Sequence, residues 1–161
     1  MLMAKVEDRD LGYKAIIKNV TALSSKSIAV GVLQNAGKEE DGKTDLVDVA
    51  IWNEYGTRDG HIPARPFLSI ATDENQRKWQ GLSEGAERMV VDRKMPADQA
   101  LEIIGNQMAG DIQMVIGDKS KLKPNKPATI RAKSKNGKVG DAPLIDTGRL
   151  RQSIHFEIRK G

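Results

Sequence analysis

Along residues 97–115, apolar side chains return every three or four positions. Ala97, Leu101, Ile104, Met108, Ile112 and Val115 form one stripe, which predicts a helix opened by Pro96 and ended by Gly117. Phe67, Ala71, Lys78 or Trp79, Leu82, Ala86 and Met89 or Val90 predict a second helix, from Pro66 to about Val91, with Gly81 and Gly85 weakening its middle. Residues 11–24 set Leu11, Ala15, Ile16, Val20 and Leu23 against Lys14 and Lys18, a third helical pattern. Residues 45–55 repeat Val47, Ile51 and Tyr55 on one face, with Asp45 to cap the first turn and Gly56 to end the last. Two runs switch to period two and read as strands: 26–33, with Ile28, Val30 and Val32, and 153–159, with Ile154, Phe156 and Ile158. Between them, "QNAGKEEDGKT" (34–44) reads as an exposed loop or hairpin tip, and "DTGRLRQS" as a short helix or turn capped by Asp146 or Thr147. Residues 118–143 carry no period. They predict a long loop with a single helical turn near "ATIRAK". The sum is one α+β domain over 1–161: a small antiparallel sheet packed against three to four helices, with an extended basic loop at 118–143.

Composition narrows this picture. Of 161 residues, 39% are hydrophobic but only 4% aromatic, so an aliphatic core is expected. No apolar run reaches bilayer length, so no membrane partner is expected. "MLMAKVEDRD" does not read as a signal peptide, and a cytosolic origin is the simplest expectation. The absence of Cys excludes disulfides, thiolate catalysis and Cys-based zinc sites.

The net charge of +4 is unevenly spread. Lys119, Lys121, Lys123, Lys126, Arg131, Lys133, Lys135 and Lys138 follow one another without an intervening acid, so with +8 in this segment the rest of the chain carries −4. Such a segment can bind phosphate backbones by counterion release. It lacks aromatics for stacking on single-stranded bases. A solvated loop whose lysines serve solubility is the alternative.

Chemistry is harder to find. His61 and His155 are far apart, and although Asp59 lies near His61, no metal-ligand spacing or "HExxH" pattern exists. The serines of "LSSKS" (23–27) flank a strand start without a "GxSxG" elbow, and no phosphate-binding glycine motif is present. The chain reads as non-catalytic, with no cofactor or metal. The segment "WNEYGTRDGHIPARPFL" (52–68) gathers aromatics, Gly, Pro and Arg. It reads as a rigid corner between two helices whose aromatics fill core volume. Arg58, His61 and Arg65 stand at its rim as subunit-interface candidates, suited to carboxylates of a neighbouring chain.

Two motifs carry a resemblance. "NEYGTRDGHIPARPFL" (53–68) supplies Glu54, Tyr55, Gly56 and Thr57, then Pro63 to Phe67 with Pro66 between them. "PLIDTGRLRQSI" (143–154) supplies Asp146, Thr147, Gly148, Leu150, Ser153 and Ile154. Together they resemble the head–tail joining proteins of long-tailed double-stranded-DNA phages. These are neck or tail-completion proteins similar to the minor tail protein Z and virion morphogenesis group. The motifs cover less than a fifth of the chain. The resemblance implies a virion structural role: a homo-oligomeric ring, of six or twelve copies, made in the host cytoplasm and joining tail to DNA-filled head. Implied partners are neighbouring head-completion and tail-tube or terminator proteins, with double-stranded DNA in the channel as a further candidate. It implies corner and packing duty for the motif residues, with Arg149 and Arg151 added to the interface candidates. A tail terminator capping the tube, or a non-specific DNA-binding module, stands as the alternative.

Overall fold

Helix α1 (Tyr13–Ser24) leads into strand β1 (Lys26–Val32), followed by α2 (Leu46–Tyr55), α3 (Phe67–Val91), α4 (Ala97–Val115), α5 (Pro127–Lys135), α6 (Arg149–Gln152) and β2 (Ile154–Lys160). This is a computed structural model, and it describes residues 11–135, 137 and 141–161. The fold is α+β, as the periodicities predict.

The first strand pairs with the last. β1 and β2 run antiparallel, with Ile28 opposite Ile158, Val30 opposite Phe156 and Val32 opposite Ile154. They form a two-stranded sheet, which cannot stand alone in water. It rests on α4, which also packs along α3. Gly105 of α4 makes this approach possible, since a Cβ there would lie 2.3 Å from the Phe156 ring.

Two core lobes result. Phe67, Trp79, Ile112, Val115, Leu150 and Ile154 build the larger; Ala86, Val90, Ala97, Ala100 and Ile104 build the smaller. Met108 touches both. The stripes read from α3 and α4 are the buried ones, with Trp79 and Val90 rather than Lys78 and Met89 facing inward. Asp111 is a buried exception. It accepts hydrogen bonds from Lys78 Nζ (2.7 and 2.9 Å), Trp79 Nε1 (2.8 Å) and Gln107 Nε2 (3.0 Å).

Several expectations need correcting. No residue of α1 is buried: Ile16, Ala22 and Leu23 are half-buried, while Leu11 and Val20, assigned to its apolar side, are exposed. In α2 the inward face is Leu46, Ala50 and Glu54, not Val47, Ile51 and Tyr55. Asp45 makes no side-chain cap hydrogen bond. The segment read as a loop with one helical turn holds α5, nine residues long. The same segment also contributes buried side chains: Leu122, Ala142 and Pro143. The 34–44 segment is a hairpin-like tip, bridged at Lys38 and Asp45 and braced by Asp41, which accepts from Thr44 N, Thr44 Oγ1 and Lys43 N.

Candidate functional site

Helix α3 begins after Pro66, which makes no side-chain cap hydrogen bond. Its first free N–H groups still need acceptors. Glu54, at the end of α2, supplies them. Its Oε2 accepts from Leu68 N (2.9 Å), and its Oε1 accepts from Ser69 N (3.0 Å) and Ser69 Oγ (2.6 Å). The carboxylate is buried at the positive end of the helix, where a negative charge is favoured. This use of Glu54 explains why α2 turns a charged residue inward.

The chain between the two helices is closed by its own polar groups. Gly56 has φ of 77°, and a Cβ there would meet Ala64 N at 2.9 Å. Thr57 N donates to Ile62 O, and Ile62 N donates back to Thr57 Oγ1. Asp59 accepts from Thr57 Oγ1 (2.6 Å) and His61 N (3.0 Å), and the Thr57 hydroxyl, then the His61 amide, hold its carboxyl below the ordinary value. Asp59 is thus a loop closer, and among the described residues no group of three His, Asp or Glu side chains is arranged to hold a metal.

Phe67 alone of the stretch's three aromatics fills the core; Trp52 and Tyr55 are exposed. Arg65 does not stand at a rim. It is buried, and burial lowers its guanidinium below the ordinary value. Its Nε donates to Lys123 O (2.8 Å), and its Nη2 donates to Pro124 O and Asn125 Oδ1 (3.2 Å each). Asn125 Nδ2 donates in turn to Ala142 O (3.1 Å). Arg65 therefore ties the first motif to residues 123–125, just before α5, and, through Asn125, to the segment entering the second motif. Arg58 and His61 remain exposed.

The second motif is also a corner. Leu144 and Gly148 have φ of 61° and 81°. Thr147 Oγ1 accepts from Arg149 N, which begins α6. Leu150, Ser153 and Ile154 are buried, and Ser153 Oγ donates to Leu150 O. Arg149 Nη1 donates to Lys38 O (2.9 Å), while Arg151 is exposed.

The two corners meet at a cleft of about 320 Å³. Val49, Asn53 and the His61–Arg65 chain form one wall; Asp146, Thr147, Gly148 and Leu150 form another; Lys126, Thr129 and Lys133 of the α5 region line a third. Its charges are mixed, with Glu39 and Asp146 among the cations. No sequence signal linked the two motifs in space. Only the missing cap residue before α3 hinted at Glu54's task.

The basic segment is partly neutralised by acids outside it. Lys119 pairs with Asp141, and Lys121 with Glu74 (2.5 Å) and Asp118 (3.9 Å). The Glu74 hydrogen bond raises the Lys121 ammonium, and Lys119 lowers the Asp141 carboxyl. Lys133 Nζ donates to Ile145 O (2.5 Å). These three therefore have acceptors within the chain itself. Lys123, Lys126, Arg131 and Lys135 are exposed. Arg131 and Lys135 are one helical turn apart and opposite Lys133, so they project away from the body. Lys138 lies outside the described residues. Comparisons with protein-family models, curated proteins and solved structures return no match.

Proposed function

We propose that this chain is a virion structural subunit at the head–tail junction of a long-tailed double-stranded-DNA phage. It is a neck or tail-completion protein that assembles into a ring and performs no catalysis. The observation that carries this reading is the convergence of the two motifs. They lie far apart in the chain, resemble one family's paired signatures, and build the opposing corners of a single cleft. Their residues cap, turn and pack: Glu54 at the α3 start, Gly56 and Gly148 at the turns, Phe67 and Leu150 in the core. A role of this kind needs a rigid subunit that presents surfaces to neighbours, and the motifs supply that rigidity.

The experiment is a phage genome with this reading frame disrupted. The expected outcome is filled heads and finished tails that fail to join, with restoration by the intact gene. Mass spectrometry of wild-type particles should find the protein in multiple copies. Its absence from purified virions, or normal joining without it, overturns the proposal. Over-long tails instead of unjoined ones favour the tail-terminator form.

A second reading, binding to duplex DNA, draws on the exposed cations. Four of them remain outside ion pairs among the described residues: Lys123, Lys126, Arg131 and Lys135. Four phosphate contacts give a log affinity against log salt slope of roughly −3.6, whereas all eight cations would give about −7. A slope near zero removes this reading.

A further inference from the structure

The chain has two Trp, two Tyr and two Phe, and three of these six face solvent. Tyr13 lies on α1; Trp52 and Tyr55 lie on α2. Tyr13 is 70% exposed and Tyr55 77% exposed. Neither helix scatters its apolar residues. On α1, Tyr13, Ile17 and Val20 recur at i, i+4 and i+7, and all are exposed, with Leu11 just before them. On α2, Asp48, Ile51, Trp52 and Tyr55 occupy i, i+3, i+4 and i+7, again all exposed. Each set is one continuous outward face.

These faces belong to different parts of the molecule. α1 rests on the smaller core lobe through Ala22 and Leu23, whereas α2 joins the larger through Val49 and Ala50. Their charges are opposite. α1 carries Lys14 and Lys18 and no acid. α2 has Asp45 at its N-cap, Asp48 in its first turn and no cation. Exposed aromatics concentrated in an otherwise aromatic-poor chain mark contact surfaces.

We infer that the outward face of α1 on one copy docks on the outward face of α2 on the next copy. This inference rests on the ring reading above and names the surfaces that would close the ring. Opposite charge favours α1 against α2 and disfavours α1 against α1 or α2 against α2. A contact between two different surfaces is head-to-tail, so an open assembly keeps one free α1 face and one free α2 face, at its two ends, until it closes.

The test uses the full chain and two exposed positions, Ile17→Asp and Trp52→Asp, with sedimentation analysis and circular dichroism. Wild type is expected to assemble beyond a dimer. Each variant alone is expected to associate on the order of thirtyfold more weakly or worse while keeping its helical spectrum. An equimolar mixture should form a heterodimer and stop there. The Ile17→Asp copy still offers α2, the Trp52→Asp copy still offers α1, and no second contact is left. Should either variant lose its fold, Tyr13→Asp or Tyr55→Asp replaces it. If wild type assembles and both variants still do, the surfaces are wrong while the ring reading stands. A variant that dimerises alone, or a mixture that stays monomeric, overturns head-to-tail docking. A wild-type chain that is monomeric at every concentration overturns both this docking and the ring, and assigns the faces to another partner.

Discussion

Among the described residues, Glu54 and Asp111 are the two buried carboxylates, and each is surrounded by donors. Replacing Glu54 with Ala strands Leu68 N and Ser69 N at the start of α3. The expected loss is about 2 kcal/mol, read as a lower melting temperature. Glu54→Gln keeps an acceptor but brings an amide that finds donors opposite it, so about half that loss is expected. Equal melting of all three proteins refutes the capping role. Asp111 adds a pH dependence. Burial alone would raise its carboxyl, but hydrogen bonds from Lys78, Trp79 and Gln107, with the Lys78 charge, hold it below the ordinary value. A lowered carboxyl contributes stability above its unfolded value, about 4, and loses that contribution as pH falls through the folded value. Asp111→Asn is expected to cost about 2 kcal/mol at neutral pH, because Lys78 is half exposed and can turn to water. Thermal melts of both proteins should converge as pH drops below about 4. A gap that stays constant through the acid range removes Asp111 as its source.

At the scale of elements, glycine separates tight approaches from empty space. Gly105→Ala would drive a methyl into the Phe156 ring, between α4 and the sheet, and is expected to destabilise by about 2 kcal/mol. Gly81 and Gly85 of α3 have nothing within 4 Å of an added Cβ. Ala at either should stabilise by about 0.5–1 kcal/mol through helix propensity alone. Denaturant unfolding of the three variants checks both signs, and a Gly105→Ala protein as stable as wild type refutes the close approach. The α4 stripe was legible because its apolar period, Pro96 and Gly117 all agree on one helix. The strands were legible by alternation, and an antiparallel sheet was expected of them, but the register that sets Ile28 opposite Ile158 was not. The α2 face was misread because two period-four sets compete there. Val47, Ile51 and Tyr55 are the more apolar, but Leu46, Ala50 and Glu54 face inward since α3 needs the Glu54 carboxylate. Helix α5 was hidden by its charge. Its anchorage comes from polar contacts, Lys133 to Ile145 O and the Arg65 network behind it, which no hydrophobic pattern reports.

For the molecule as a whole, Arg65 decides whether the basic segment belongs to the body. Its guanidinium serves three acceptors across residues 123–125, and Asn125 extends the link to Ala142. Leu122 and Pro143 are buried on either side of these bonds, while α5 itself buries no residue. Arg65→Ala therefore leaves two carbonyls and an amide oxygen without their donor, in a place where water must enter to replace it. About 2 kcal/mol of local anchoring is expected to go, with the core of α3, α4 and the sheet still folded. Trypsin reads this directly, because the segment supplies its own cleavage sites. Native-state cleavage between Lys119 and Lys135 should rise roughly thirtyfold, while cleavage at Arg77, Lys78 and Arg88 in α3 changes little. Arg65→Lys should fall between the two proteins, since a single ammonium cannot span the acceptors that a planar guanidinium reaches. Unchanged cleavage in the segment assigns its order to Leu122 and Pro143 alone. Acceleration at every site assigns Arg65 to global stability instead of to the tether between the two corners.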